Sequence, residues 1–235
     1  MAGTLRALDR EVIACERCER LVSWCRRVAR EKKASLRDAE YWGKPVPSFG
    51  DADPRLLIVG LAPGAHGANR TGRPFTGDGA GPFLYGALHR AGFATRPESL
   101  DRSDGLELVG ARITNAVRCA PPGNRPTPVE ARACRPFLVR ELELCSETRL
   151  ILALGGFAWA EVLAVLAERG ARISRPSPRF GHGAEWDPGR PFPVVLGAFH
   201  PSQLNTRTGR LSPAMFDAVL ARARSLSRAG RRSKG

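Results

Sequence analysis

Leu56 to Asp78 reads LLIVGLAPGAHGANRTGRPFTGD, and the rest of the chain is organised around this stretch. Leu56 to Val59 is a short run, apolar at every position, that turns at Gly60. A run of this kind, too brief for a helix, marks a parallel strand buried on both faces. The loop beyond it is crowded with Gly, Pro, Arg and Asn and carries one carboxylate, Asp78. Ligands of open α/β sheets bind beyond the carboxyl ends of the strands, so this loop stands where a site belongs.

Similar punctuation recurs outward from there. Residues 107–117 give a second strand ending in Thr114 and Asn115, and Leu150 to Leu154 a third, closed by Gly155 and Gly156. Pro193 to Phe199 gives the fourth and runs straight into His200. It is expected to pair as a hairpin with 179–186 across the DPGRP turn. Helices are expected at 81–91, at 128–145 with Pro128 in the first turn, at 156–168, and from about Ser212 into a basic tail at 222–235. Residues 4–34 read as helical, with Leu21, Trp24, Cys25 and Val28 on one stripe, and Tyr41 to Asp53 as a loop. The alternation predicts one domain over 1–235, a three-layer α/β/α fold on a central four-stranded parallel sheet. Its carboxyl edge brings Asp78, Asn115 and His200 together.

Composition narrows the function. The 235 residues hold 37 Lys and Arg against 23 Asp and Glu, a net charge of +14. Only Lys32, Lys33, Lys44 and Lys234 are lysine, and Arg is the better residue for binding two phosphate oxygens at once. An excess this large favours a polyanion partner. No apolar run is long enough to span a bilayer, and the first fifteen residues lack the core of a signal peptide, so a cytosolic protein is expected.

Six cysteines in such a protein argue against a disulfide framework. Cys15 and Cys18 form a C-x2-C pair, and Cys119 and Cys134 leave the second strand and the following helix. Cys25 and Cys145 lie about 10 Å and about 16 Å further along their helices and read as core thiols. Four thiolates suit either a [4Fe–4S] cluster or Zn²⁺, although the second C-x2-C knuckle of a zinc ribbon is missing.

With these residues in hand the chain resembles family 5 of the uracil-DNA glycosylases, the iron–sulfur group called type B. The resemblance rests on GLAPGAHGANRTGRPFTGD, TNAVRCAPP, FHPSQLNTRTGRLS and the four cysteines, which together span nearly the whole chain. It implies an enzyme that flips uracil out of double-stranded DNA and hydrolyses the N-glycosidic bond. Cys15, Cys18, Cys119 and Cys134 would hold a structural [4Fe–4S] cluster. Phe75 would stack on the extruded base, Asn115 read its edge, and His200 face its carbonyl. Gly60, Ala62, Pro63 and Gly64 would let the backbone approach the base, with Asn205 at the far wall. Ser202 and Leu204 would enter the minor groove, Leu204 as a wedge, while Arg70, Arg73, Arg118, Arg207 and Arg210 meet phosphates.

Bond cleavage leaves positive charge on the sugar and negative charge on the base. His200 suits the base anion, and Asp78 the sugar cation or an attacking water, although an Asp ahead of Gly81 also suits a helix N-cap. The turn departs from the best-known uracil-specific class, which carries an Asp where Ala62 stands. A methyl group there suggests an open pocket that also takes hypoxanthine, xanthine or ethenocytosine. No lysine stands in the motif segments, so a monofunctional monomer is expected. Two other readings compete: a DNA-crosslinking relative, whose inserted basic motif has no match in GANRTGRPFTGDGAG, and a non-catalytic iron–sulfur or zinc DNA-binding module, which has no use for Asp78, Asn115 and His200.

Overall fold

The computed structural model describes residues 3–228. Its strands are β1 (Phe49–Gly50), β2 (Leu56–Gly60), β3 (Ala111–Asn115), β4 (Leu150–Leu154), β5 (Glu185–Trp186) and β6 (Val194–Ala198), in the sheet order β1-β3-β2-β4-β6-β5. The inner four are parallel to their neighbours, as expected. The two outer strands are additions to the four-stranded expectation. Each is two residues long and antiparallel, β1 on β3 and β5 on β6, and each shortens an open sheet edge. β5 is what remains of the expected hairpin, and β1 falls inside the segment read as a loop, where Pro and Gly hide so short a strand.

All five residues of β2 are buried. The strand pleat sends alternate side chains to opposite faces. Leu56 and Ile58 therefore pack with Leu84 and Leu88 of α4 (Gly81–Arg90) and with Phe216 and Leu220 of α8 (Pro213–Arg228). Leu57 and Val59 pack with Leu138 and Leu142 of α5 (Pro128–Leu144) and with Val162 and Leu166 of α6 (Gly156–Glu168). Each fully buried Leu or Val contributes about 1.5–3 kcal/mol, and only a three-layer stack collects that on both faces of one strand.

The amino-terminal segment is two helices where one was expected. α1 (Leu5–Ile13) and α2 (Glu19–Glu31) are separated by residues 14–18, and Cys18 takes the N-cap position of α2. The C-x2-C pair thus lies at a helix break. Ion pairs tie this segment to the body: Asp9 to Arg112 at 3.1 Å and Arg20 to Glu130 at 2.7 Å. Glu130 also closes the capping box of α5 with Thr127, so one carboxylate starts a helix and anchors another. No helix among the described residues is long and apolar enough to cross a membrane. α8 carries the basic tail as far as Arg228; the rest of the tail, 229–235, lies outside the described residues.

Candidate active site

The chain reverses direction across the sheet at β2, which has β3 on one side and β4 on the other. Beyond the carboxyl ends of these strands opens a cleft of about 820 Å³. Asn115 is the last residue of β3 and pairs in register with Gly60, the last of β2. A Cβ at Gly60 would lie 2.5 Å from Asn115 Oδ1 and 2.7 Å from Phe75 Cζ, so the missing side chain is what lets amide and ring approach the strand end. Asn115 is 3% exposed, yet its Oδ1 accepts no hydrogen bond among the described residues. An orphaned acceptor of this kind is a place for a ligand donor.

Phe75 lies on the same wall with its backbone at φ 53°, a region that bulky side chains rarely adopt. Neighbouring bonds hold it there. Tyr85 Oη donates to Pro74 O at 2.7 Å, Thr71 Oγ1 donates to Thr76 O at 3.0 Å, and Thr76 Oγ1 bonds Ser99 Oγ at 2.6 Å. The Phe75 ring faces His200, centroids 5.6 Å apart and planes 34° apart. Burial pushes the His200 imidazole down to about 4, so it is neutral at physiological pH. Asn205 Nδ2 donates to His200 O at 2.8 Å. That bond turns the Asn205 Nδ2 to the His200 backbone, and Asn205 is not among the residues that line the cleft.

Asp78 completes the cleft from α4's leading turn. Oδ1 accepts the Ala80 and Gly81 N–H groups at 3.0 and 3.3 Å, the cap-like role foreseen as its alternative. Oδ2 lies against Gly64 and Gly67, where a Cβ on Gly67 would come within 2.5 Å of it. Burial raises the Asp78 pKa above the ordinary value, opposed by the Ala80 and Gly81 N–H groups and by the Arg70 charge. One oxygen is thus fixed by the backbone, and the other is free of any hydrogen bond among the described residues.

The remaining expected residues divide. Ala62, Gly64, Ser202 and Leu204 line the cleft, whereas Pro63 is buried beside it. Ser202 caps α7 (Gln203–Arg207), accepting from the Asn205 N–H at 3.4 Å, and Leu204 on that helix is 73% exposed. Arg207 and Arg210 are exposed, and Arg210 also lies over the Phe199 ring. Arg70 turns inward, donating to His66 O and Gly77 O, so it shapes the loop around Asp78.

Arg73 and Arg118 are corrected as phosphate contacts. Arg73 is 4% exposed and pairs with Asp104 at 2.9 Å; Arg118 is 2% exposed and pairs with Glu141 at 2.6 Å. Burial and a dedicated carboxylate leave neither free to reach DNA. Lys33, Leu36, His66, Asn124 and Gln203 also line the cleft and were missed. His66 had a signal in its place in the opening loop and Gln203 in the FHPSQLNTRTGRLS motif; Tyr41 Oη bonds His66 Nδ1 at 2.9 Å.

On the far side of β3, Cys15, Cys18, Cys119 and Cys134 line one small cavity of about 20 Å³, walled otherwise mainly by apolar residues such as Leu21, Val117 and Phe137. All six cysteines are free thiols. Burial pushes Cys134 up to about 11, with Cys15 and Cys18 adding to the rise. Cys119 is raised by its hydrogen bond with Cys25 and then by burial. Cys25 is therefore a core thiol that also touches a member of the set of four. Among the described residues no group of three His, Cys, Asp or Glu is gathered as a single bound metal ion requires. Four thiols lining one cavity are the donor set an iron–sulfur core takes, and such a core would compensate the thiolate charge that burial alone opposes.

The family model described as the uracil DNA glycosylase superfamily matches residues 47–224. The chain belongs to that superfamily. It is 50% identical over 227 residues to the type-5 uracil-DNA glycosylase of Mycobacterium tuberculosis, covering 96% of this chain and 83% of that one. Against the type-5 uracil-DNA glycosylase of Thermus thermophilus it is 49% identical over 228 residues, 94% of this chain and 99% of that one. The type-4 uracil-DNA glycosylase of Thermotoga maritima is more distant, 35% identical over 160 residues, 68% of this chain and 70% of that one. The superfamily's matched region begins after the C-x2-C pair, whereas the type-5 comparisons extend over nearly the whole chain.

Proposed function

We propose that this uracil-DNA glycosylase excises uracil from double-stranded DNA as a monofunctional hydrolase, and that it also accepts hypoxanthine and xanthine. The observation that carries the reading is the orphaned Oδ1 of Asn115 beside the Phe75 ring. Uracil presents a ring N–H between two carbonyls; hypoxanthine and xanthine each present an N–H beside a carbonyl. Cytosine presents a bare ring nitrogen at that place, and two acceptors facing one another repel. A flipped base stacks on Phe75, gives its N–H to Asn115, and has its carbonyl facing His200.

The bond from C1′ to the base nitrogen then breaks with its electron pair leaving on the base. Neutral His200 donates an N–H to the oxygen where that charge collects. The Asp78 carboxylate, its Oδ1 held by two backbone amides, faces the sugar cation and takes the proton from the water that adds at C1′. The products are free base and an abasic site. Ala62 leaves room where a larger side chain would close the pocket. Leu204, exposed on α7, fills the gap left in the duplex. Cys15, Cys18, Cys119 and Cys134 would hold a [4Fe–4S] cluster, which would crosslink α2, α5 and the loop after β3 and supply no chemistry to the cleaved bond. The reading takes 1–235 as one glycosylase domain acting as a cytosolic monomer.

A panel of single-lesion duplexes tests this. Uracil, hypoxanthine and xanthine should be released, and cytosine should not. Ethenocytosine, which lacks the N–H, reports whether an open pocket alone suffices. Lys33 lines the cleft although it stands outside the motifs, so borohydride trapping is the check on monofunctional chemistry, and no adduct is expected. Uracil retained in the duplex would contradict the reading.

A further inference from the structure

Arg118 stands three residues past Asn115 and one before Cys119, and every polar atom it has takes a hydrogen bond among the described residues except one. Its Nη1 donates to Ser48 Oγ at 2.6 Å and its Nη2 to Glu141 Oε2 at 2.6 Å. Its carbonyl accepts the Val46 N–H at 2.7 Å, and its own backbone N–H donates to Cys134 Sγ at 3.3 Å. What remains is Nε–H, buried and without a partner among the described residues. A buried donor left unmade is costly, more so on a charged group. Arg118 also lines the cavity formed by Cys15, Cys18, Cys119 and Cys134.

Glu141 explains why the guanidinium cannot swing away. It is fully buried between Arg118 and Arg112, with Thr114 Oγ1 donating to it at 3.0 Å. The Arg118 side chain is thus clamped at its far end, while its Nε is left without a partner among the described residues on a residue that lines the cysteine cavity. The other cation on that cavity, Arg17, donates to Ala133 O and lies over the Phe137 ring.

We propose that Arg118 is a positioning residue for the sulfur-rich group that the four cysteines hold. Its Nε–H donates to a sulfur of that group, its backbone N–H donates to the Cys134 sulfur, and its charge, locked by Glu141, offsets the thiolates. Asn115, Arg118 and Cys119 belong to one segment leaving β3, so the same bonds steady the side chain that meets the base. This rests on the reading of the four cysteines as cluster ligands.

The test compares wild type, Arg118→Lys and Arg112→Lys, each purified anaerobically as the full chain. Iron and sulfide per chain, thermal melting, and the rate at which chelator in air bleaches the cluster absorbance are measured. Wild type should hold iron. Arg118→Lys keeps the charge beside Glu141 but deletes Nε–H, and should bleach about 10-fold faster or more, the effect of losing an outer-shell partner. Arg112→Lys disturbs the same Glu141 without touching the cysteine cavity and should bleach as wild type does.

Should Arg118→Lys fail to fold, Arg118→Met combined with Glu141→Gln removes both charges together and should show the same rapid bleaching. Iron-loaded Arg118→Lys that bleaches at the wild-type rate overturns the proposal and assigns Nε–H to a water molecule. Iron-free wild type overturns the reading of the cysteines, and this inference with it.

Discussion

Two titrating groups line the cleft, and burial moves them in opposite directions. Asp78 is raised above an ordinary carboxylate, and His200 is lowered to about 4. Uracil release should therefore fall as the pH drops through the raised Asp78 value, since the protonated acid can neither stabilise a cation nor accept a proton. His200 should add no limb near pH 6.5, where an ordinary histidine titrates, because it is already neutral there. The sign of the stability effect is separate: the unfolded chain holds the His200 proton between pH 6.5 and about 4 while the folded one does not, so folding weakens as pH falls through that window. A single-turnover pH profile checks the activity claim. Asp78, Asn115 and His200 were legible because strand ends announce themselves in sequence. Arg73 and Arg118 were misread because an arginine's carboxylate partner, Asp104 or Glu141, is found only when the chain folds. The left-handed backbone of Phe75 was equally hidden, since its supports come from Tyr85 and Ser99.

α7 sets an exposed apolar side chain, Leu204, at the cleft. It has five residues and no apolar periodicity, so nothing in the sequence predicts it beyond Ser202, a good N-cap. The helix fixes two directions at once: Asn205 turns inward to the His200 carbonyl while Leu204 turns outward. Leu204→Ala should slow uracil release from duplex about 10-fold while leaving single-stranded substrate nearly unchanged, because a lone strand has no stacked gap to fill. Equal losses on both substrates would make Leu204 a scaffold residue. The same contrast of local signal and tertiary need explains the amino terminus. The helical stripe from Leu21 to Val28 was visible, but the break at residues 14–18, where the C-x2-C pair stands, has neither Gly nor Pro to mark it.

Across the whole molecule the layered fold was legible from four apolar runs and the helices between them, and the two edge strands were not, because two residues carry no periodicity. The net charge of +14 was read as a polyanion partner, yet several arginines are consumed inside the fold. The exposed Arg207 and Arg210, with Lys33 at the cleft, remain for phosphates. Three such contacts give a slope of about −2.7 in log affinity against log salt, and Arg207→Ala should reduce its size by about 0.9. A slope unchanged by Arg207→Ala would place the DNA elsewhere. The central claim is that Asp78, rather than a residue in the turn where Ala62 stands, carries the chemistry. Asp78→Asn is the decisive variant because the amide oxygen still accepts the Ala80 and Gly81 N–H groups while the charge is gone. Single-turnover release of uracil from duplex DNA, measured beside binding to the same duplex, should fall by about 10²-fold or more with binding retained. Release within a few-fold of wild type would reduce Asp78 to a helix cap and contradict the account.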